Sequence, residues 1–313
     1  MEKYSLQNIQ EIVEESVLSN SNQKVFGHYT SVDALRKILK GYNKDSKCLS
    51  LWATDARCSN DEHELQTGFD YLMDYIKILD SGVIEKYRLS EFWKDLDKSA
   101  KYNDITAQDI VNLFFEGSRT PYIISLSKYI DDLNMWKQIY GHGGEGVCIE
   151  FDFSNTDITH PDLYITQPTT VAYTGRIGYL NTLNMLQNRI IYEYVEYLNN
   201  VVKKSDTDDI LSMKIQTLDI ICSEVSSYIK NGKWHNEQEV RIVCYTKEDD
   251  SKIVKNDDSS YRRYVEVPIP VSCIKKITLG PKVNNNTLKE IQQVSHIIGL
   301  KSENVIKSNE PLR

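Results

Sequence analysis

Several short runs of the chain alternate between apolar and polar residues, and a period of two residues predicts β-strands. Two further strands, each with a block of adjacent apolar residues, are predicted at Val25–Thr30 and at Tyr122–Ser127. A third run starts at Glu237 and places Val240 and Ile242 on one face. Shorter strands are predicted at 48–53, 147–151, 170–174, 264–267, 275–279 and 304–307.

Apolar residues spaced three and four apart predict helices in the segments between these strands. The pattern gives an N-terminal helix within 1–20, helical insertions at 60–117 and 178–230, and a late helix at 287–298. Ser31 is a favourable N-cap for a further short helix, which Gly41 is placed to end. Strands that recur throughout, with helices gathered in blocks, indicate a single α+β domain over 1–313 with a mixed, mainly antiparallel β core.

The composition is that of an ordinary globular protein, with 313 residues of which 40% are hydrophobic and 26% charged. A net charge of −8 argues against strong nonspecific binding to nucleic acid or to an anionic membrane. No run approaches the roughly 20 apolar residues that span a bilayer, and the N-terminus lacks the pattern of a secretory signal. Six scattered cysteines without a Cys-x-x-Cys pair favour a reducing, cytoplasmic setting.

The most informative stretch puts two carboxylates, Glu237 and Glu239, one residue apart at the start of a predicted strand. Residues two apart on a strand share a face, so the two acids are predicted to lie side by side. Like charges repel, and this cost is offset where a cation or a ligand uses both acids, as in sites that stabilise a sugar cation. The alternative interpretation pairs Glu239 with Arg241 along the strand and leaves Glu237 in solvent.

His28, Tyr29 and Thr30 end a predicted strand just before the helix that Ser31 caps. Strand-to-helix junctions often present ligand-binding groups, because backbone N–H groups and side chains converge there. A histidine at this place is suited to hydrogen-bond a ribose hydroxyl. The alternative is a structural histidine.

Further polar candidates lie elsewhere along the chain. Asn60, Asp61 and Glu64 fall near the start of a predicted helix. They are candidates for a catalytic or substrate-orienting role, but the helix dipole is by itself a sufficient structural reason for acids at this place. Ser125 and Ser127 share one face of their strand and would line a polar cleft. No His-Glu-x-x-His motif or Cys/His cluster occurs, so no metal is expected.

Several motifs follow one another along the chain: His28-Tyr29-Thr30, Leu35 with Ile38-Leu39, Asn60-Asp61 with Glu64, Ser125-Leu126-Ser127, Met135-Trp136 with Tyr140, Gly146 to Phe151, Trp234 with Glu237, Glu239 and Arg241, and Ile277 to Pro281. Taken together and in this order, they resemble the bacterial family called domain of unknown function 2971, over roughly residues 25–308. The chain departs from the family pattern at Glu62, where a proline often follows the acid.

A more distant resemblance is to ADP-ribosyltransferases, which open with a strand bearing a His or Arg and often carry Glu-x-Glu on a late strand. This resemblance implies an ADP-ribosyltransferase-like β core, with NAD as the substrate. It implies that His28 holds the nicotinamide-side ribose, that Glu239 stabilises the oxocarbenium ion, and that Glu237 orients or deprotonates the acceptor. The implied nucleotide contacts are His28, Tyr29, Thr30, Asn60, Asp61, Ser125, Ser127, Trp136 and Arg241. The family also carries a hydroxyl or a Tyr on a middle strand. Its counterpart in this chain, the middle-strand residue, stays open between Ser125, Ser127, Tyr122 and Tyr173.

The expected function is therefore that of an NAD-consuming ADP-ribosyltransferase or NAD glycohydrolase, acting as a bacterial toxin or anti-phage defence effector on an unknown macromolecular acceptor. The first alternative is a non-catalytic binding or regulatory module of a defence system, in which the same polar residues hold the fold together. The second is a metal-dependent nuclease that gathers Asp61, Glu64, Glu237 and Glu239 around magnesium.

Overall fold

The computed structural model describes residues 23–58, 65, 67–68, 121–174, 226–246, 254–255 and 263–312. Three predicted helical segments lie wholly or largely outside these residues. They are the helix within 1–20, nearly all of 60–117 and most of 178–230. Contacts divide the chain into two compact units. The first comprises Met1–Asn20, Asp55–Pro121 and Ala172–Gly232, and the second comprises Ser21–Thr54, Tyr122–Val171 and Lys233–Arg313. Because most of the first unit lies outside the described residues, the single domain stays a prediction.

The fold is mixed α/β, with a mainly antiparallel sheet and few helices among the described residues. The strands are β1 (Val25–Thr30), β2 (Cys48–Asp55), β3 (Tyr122–Ser127), β4 (Val147–Asp152), β5 (Leu163–Ile165), β6 (Thr169–Thr170), β7 (Ala172–Tyr173), β8 (Ile229–Lys230), β9 (Glu239–Thr246), β10 (Val254–Lys255), β11 (Arg263–Pro270), β12 (Ile274–Leu279) and β13 (Val305–Lys307). The α-helices are α1 (Val32–Lys40), α2 (Leu133–Lys137) and α3 (Asn285–Ser295). Short 3₁₀ turns cover Ala56–Cys58, Ile139–Gly144, Gly232–Glu237, Val271–Cys273, His296–Ile298 and Ser302–Asn304.

The sheet of the second unit forks at β3. Its main order is β10–β11–β2–β3–β1–β4–β12–β13, and β9 pairs separately with β3, β5 and β6. Antiparallel β9 follows β3 from Tyr122 to Ser127 and so occupies one whole edge of that strand. A strand has only two edges, so β1 and β2 share the other one, with Gly27 of β1 opposite Ser127. Two branches of the sheet therefore diverge from β3.

The core lies against one face of both branches, as the two-residue alternation predicts. On β3 the core face carries Ile124 and Leu126, and on β9 it carries Val240 and Ile242. The same cluster takes in Phe26, Leu35, Leu39, Leu49, Leu51, Ala53, Val147, Ile149, Phe151, Val265, Val267, Ile269, Ile277, Leu279, Ile291 and Val305.

Local chemistry sets the helix ends close to where the sequence places them. The Ser31 hydroxyl accepts a hydrogen bond from the Ala34 N–H at 3.0 Å, and Gly41 caps the other end of α1. The tail runs β12, α3, β13, and β13 returns parallel to β12, so α3 lies on a crossover connection between the two strands. No helix in the described ranges is long and apolar enough to cross a membrane.

Two predicted elements near the unit boundaries are wrong in detail. The strand expected at 170–174 is two short strands, because β6 pairs with β9 whereas β7 pairs with β8. The helix expected to reach residue 230 ends earlier, since Ile229 and Lys230 form β8, parallel to β7 within the first unit. In both places the identity of the pairing strand decides the structure, and no local pattern encodes it.

Candidate functional site

His28 lies at the fork, where β1 leaves β3. Continued pairing beyond Gly27 and Ser127 would bring Tyr29 opposite Ser125. Instead, the Ser125 carbonyl is 2.9 Å from Nδ1 of the His28 imidazole. A carbonyl only accepts hydrogen bonds, so Nδ1 carries the proton and donates it. The imidazole thus makes a contact of the kind that a neighbouring strand would otherwise supply.

The chemical state of His28 follows from this contact. Burial lowers the pKa of the imidazole, and the hydrogen bond to the Ser125 carbonyl only partly opposes that shift. The ring is therefore neutral near pH 7. With the proton on Nδ1, Nε2 presents a lone pair and accepts hydrogen bonds, for which a sugar hydroxyl is a suitable donor.

Ser125 connects this imidazole to an acid on the next strand. Its carbonyl accepts from His28, and its hydroxyl donates to Oε1 of Glu239 at 2.7 Å. Ser125 is exposed, whereas Glu239 is only 3% exposed. Ser125 therefore connects His28 and Glu239, which are far apart in sequence.

Glu239 also forms a buried ion pair with Arg241. The guanidinium donates from Nε to Oε1 and from Nη2 to Oε2, each at 3.0 Å. Arg241 is 1% exposed. Both residues lie on the face of β9 opposite the core, so the predicted pairing along the strand is confirmed. Bidentate, charge-assisted hydrogen bonds of this kind fix the plane of the carboxylate.

Glu237 does not share a strand face with Glu239, so that prediction is wrong. The strand begins only at Glu239, and Glu237 ends the 3₁₀ turn Gly232–Glu237. Between the two acids, Gln238 has a φ of 43°, in the left-handed region, which breaks the alternation of side chains. Glu237 is also only 4% exposed, so the alternative that placed it in solvent is wrong too.

Ser127 connects the end of β3 to two neighbouring segments by hydrogen bonds. Its buried hydroxyl donates to the Glu237 carbonyl at 2.7 Å and accepts from the Tyr129 N–H at 3.0 Å. These two bonds hold the end of β3 to the turn that precedes β9. Among the four candidates for the middle-strand residue, Ser125 donates a hydrogen bond to the side chain of Glu239, which favours this serine.

Tyr29 and Trp136 form a packed cluster behind β1, together with Met135 and Cys148. The Trp136 ring is fully buried and meets the Tyr29 ring edge-on at 5.1 Å between centroids. Its Nε1 donates to Asp131 Oδ1 at 2.9 Å. Trp136 therefore packs in a core, whereas contact of Tyr29, Thr30 or Trp136 with a nucleotide stays a prediction.

The chain's late segment reaches the same cluster. Leu312 packs against it beside Gly144, which has a φ of 94°. A Cβ added at Gly144 would meet Cδ2 of Leu312, the far end of a side chain that can shift, so the backbone angle is what favours glycine at this position.

The remaining sequence candidates lie elsewhere. Asn60, Asp61 and Glu64 are outside the described residues, so their placement stays a prediction. Within the described ranges, no group of three or more His, Cys, Asp or Glu side chains is arranged to hold a metal ion.

Lys128 is a feature of this region that the sequence analysis does not single out. It follows Ser127, and its backbone N–H donates to the Gln238 carbonyl at 3.0 Å. Burial lowers the pKa of its ammonium group. A lysine after a strand is common, so the sequence carries no signal for this environment.

These features define a mixed α/β protein with a polar, partly buried site at the fork of its sheet. Residues 135–242 match the model of a family described as protein of unknown function (DUF2971). The matched range includes Trp136, Glu237, Glu239 and Arg241, so the resemblance to this family is confirmed there. No curated protein and no solved structure matches the chain.

Proposed function

We propose that the chain is an NAD-consuming enzyme, an ADP-ribosyltransferase or an NAD glycohydrolase, with its site at the fork between β1 and β3. The observation that carries the proposal is the hydrogen-bonded path from His28 through Ser125 to Glu239. It brings an imidazole that accepts hydrogen bonds and a fixed carboxylate to the same serine.

The proposed step is substitution at C1′ of the nicotinamide ribose. The bond between C1′ and the nicotinamide nitrogen breaks, and nicotinamide leaves with the bonding electron pair. An acceptor, water or a nucleophile on a macromolecule, forms a new bond to C1′ and releases its proton to solvent. In the transition state the sugar carries positive charge, which a preorganised carboxylate in a dry site stabilises more than water does.

Each residue has a defined part in this step. Nε2 of His28 accepts a hydrogen bond from a ribose hydroxyl and orients the sugar. Ser125 bridges the two groups, and Glu239 supplies the negative charge. Glu237 contributes its carbonyl to Ser127 and receives no chemical role here.

The test is release of nicotinamide from NAD by the wild type and by Glu239→Gln, which keeps the shape of the side chain and removes its charge. We expect a loss of about 10²-fold or more, the range found when a preorganised electrostatic group is removed. Glu266→Gln, at an exposed acid on β11, is the matched control and should retain wild-type activity. Cellular NAD after expression of the wild type and of Glu239→Gln tests the toxin setting. Full activity in Glu239→Gln, or a silent wild type with water, protein and nucleic acid as acceptors, contradicts the proposal.

The buried pairing of Glu239 with Arg241 favours a second candidate, a non-catalytic binding or regulatory module of a defence system. A carboxylate whose oxygens already accept from an arginine and a serine is also what a purely structural network requires. This candidate predicts that Glu239→Gln lowers the unfolding midpoint while the wild type releases no nicotinamide.

A further inference from the structure

Arg241 was expected to contact the nucleotide, and its geometry indicates a different role. Strand pairing sets Ser125 opposite Arg241 and Ser127 opposite Glu239. The Ser125 hydroxyl reaches diagonally to Oε1 of Glu239, and the guanidinium spans both carboxylate oxygens from two residues along the same strand. Three donors, all on strands held in one ladder, therefore fix this carboxylate.

Burial makes this arrangement costly to rearrange. Arg241 is 1% exposed and Glu239 is 3% exposed, so neither charge is solvated in the folded state. Separating the pair would break charge-assisted hydrogen bonds between two groups that solvent does not reach, which costs more than it does at a surface. A substrate phosphate that bound the guanidinium in place of Glu239 would have to compensate for the loss of this interaction.

We infer that Arg241 is a positioning residue, which orients the carboxylate of Glu239 for the reaction and does not bind the phosphates of the substrate. This inference rests on the proposed function. A planar guanidinium with Nε and Nη2 directed at two oxygens sets the carboxylate plane, which a lysine ammonium, as a point charge, cannot do. The role depends on the planar geometry of the guanidinium and not on its charge alone.

The kinetic consequence is a separation of kcat from KM. Misplacing a reacting group lowers the rate of the chemical step, and a displacement of about 1 Å costs roughly 10²-fold. Arg241→Lys keeps a cation beside Glu239, so we expect kcat to fall about tenfold or more while KM changes little. Arg241→Ala should recover activity when guanidinium ion is added at concentrations far below those that unfold proteins, and methylammonium at equal concentration should not restore it.

Binding of ADP-ribose, measured by calorimetry, separates failure of this inference from failure of the proposed function. We expect wild type and Arg241→Lys to bind ADP-ribose equally well. Weaker binding by Arg241→Lys, or an unchanged kcat with a raised KM, would overturn the inference while the enzyme itself stands. A rise in kcat in Arg241→Lys would also overturn it, because Arg241 would then restrain Glu239. A wild type that neither binds ADP-ribose nor consumes NAD overturns both.

Circular dichroism of each variant establishes that it is folded before its kinetics are compared. If Arg241→Lys does not fold, Ser125→Ala removes the third donor to the same carboxylate from an exposed position. It should lower kcat with little change in KM. A loss confined to KM in this variant overturns the inference equally.

Discussion

The two faces of the β3–β9 ladder are closed in different ways. The core face carries Ile124 and Leu126 against Val240 and Ile242, and apolar packing seals it. On the opposite face, Glu239 and Arg241 are as deeply buried but are held by directional hydrogen bonds and paired charges. Burial on one strand therefore serves two purposes. Apolar packing tolerates a conservative exchange, whereas a buried charge does not tolerate loss of the opposite charge.

The largest effect is expected from breaking the polar face. Arg241→Met should lower the free energy of unfolding by about 3–5 kcal/mol, because it removes the guanidinium from the buried Glu239 carboxylate. Urea denaturation measures the change. The double variant Glu239→Met with Arg241→Met replaces the pair by apolar side chains and should recover most of the loss. A double variant as unstable as the single one would show that the pair is not the cause.

A smaller effect is expected on the adjacent residue of the core face. Ile242→Val should cost about 0.5–1.5 kcal/mol by urea denaturation, since it removes one buried methylene without removing a charge. Nicotinamide release should stay near wild type, because Ile242 points away from Glu239. A marked fall in kcat here would mean that the two faces are not independent.

The smallest effect is expected from a change of pH at His28. Burial lowers the pKa of its imidazole below the ordinary value of 6.5, so the unfolded chain takes up a proton first as the pH falls. The stability that His28 contributes is therefore complete above about pH 6.5 and is lost as the pH falls toward the lower, folded pKa, by at most about 1.4 kcal/mol per pH unit. Urea denaturation at about pH 7.5 and about pH 5.5 should show a larger acid loss for wild type than for His28→Gln. Equal losses in both proteins would assign the pH dependence to other groups.

Local patterns predicted the elements of the fold well wherever one face of a strand is buried. The bounds of β1 and β3 agree with the alternation of their residues, and Ser31 and Gly41 cap α1. Val240 and Ile242 lie in the core as their spacing predicts. These features depend on neighbours within a few residues, which the sequence displays directly.

The site depended on information that the sequence does not display. Gln238 adopts a left-handed φ without being glycine or asparagine, so the turn that separates Glu237 from Glu239 has no local signal. The contact between His28 and Ser125 joins residues 97 positions apart, and it exists because β1 leaves β3 after one pair. Pairing partners of this kind are set by the whole sheet. The predicted pairing of Glu239 with Arg241 succeeded because both lie on one strand.

The glycine at position 144 and the leucine beside it have a consequence for the opposite end of the chain. Leu312 packs against the aromatic cluster that includes Tyr29, the immediate neighbour of His28 in β1. Position 312 is therefore packed against the strand that carries His28. Truncation of Leu312 would remove apolar contacts from this cluster, which includes Tyr29 on the face of β1 opposite the imidazole.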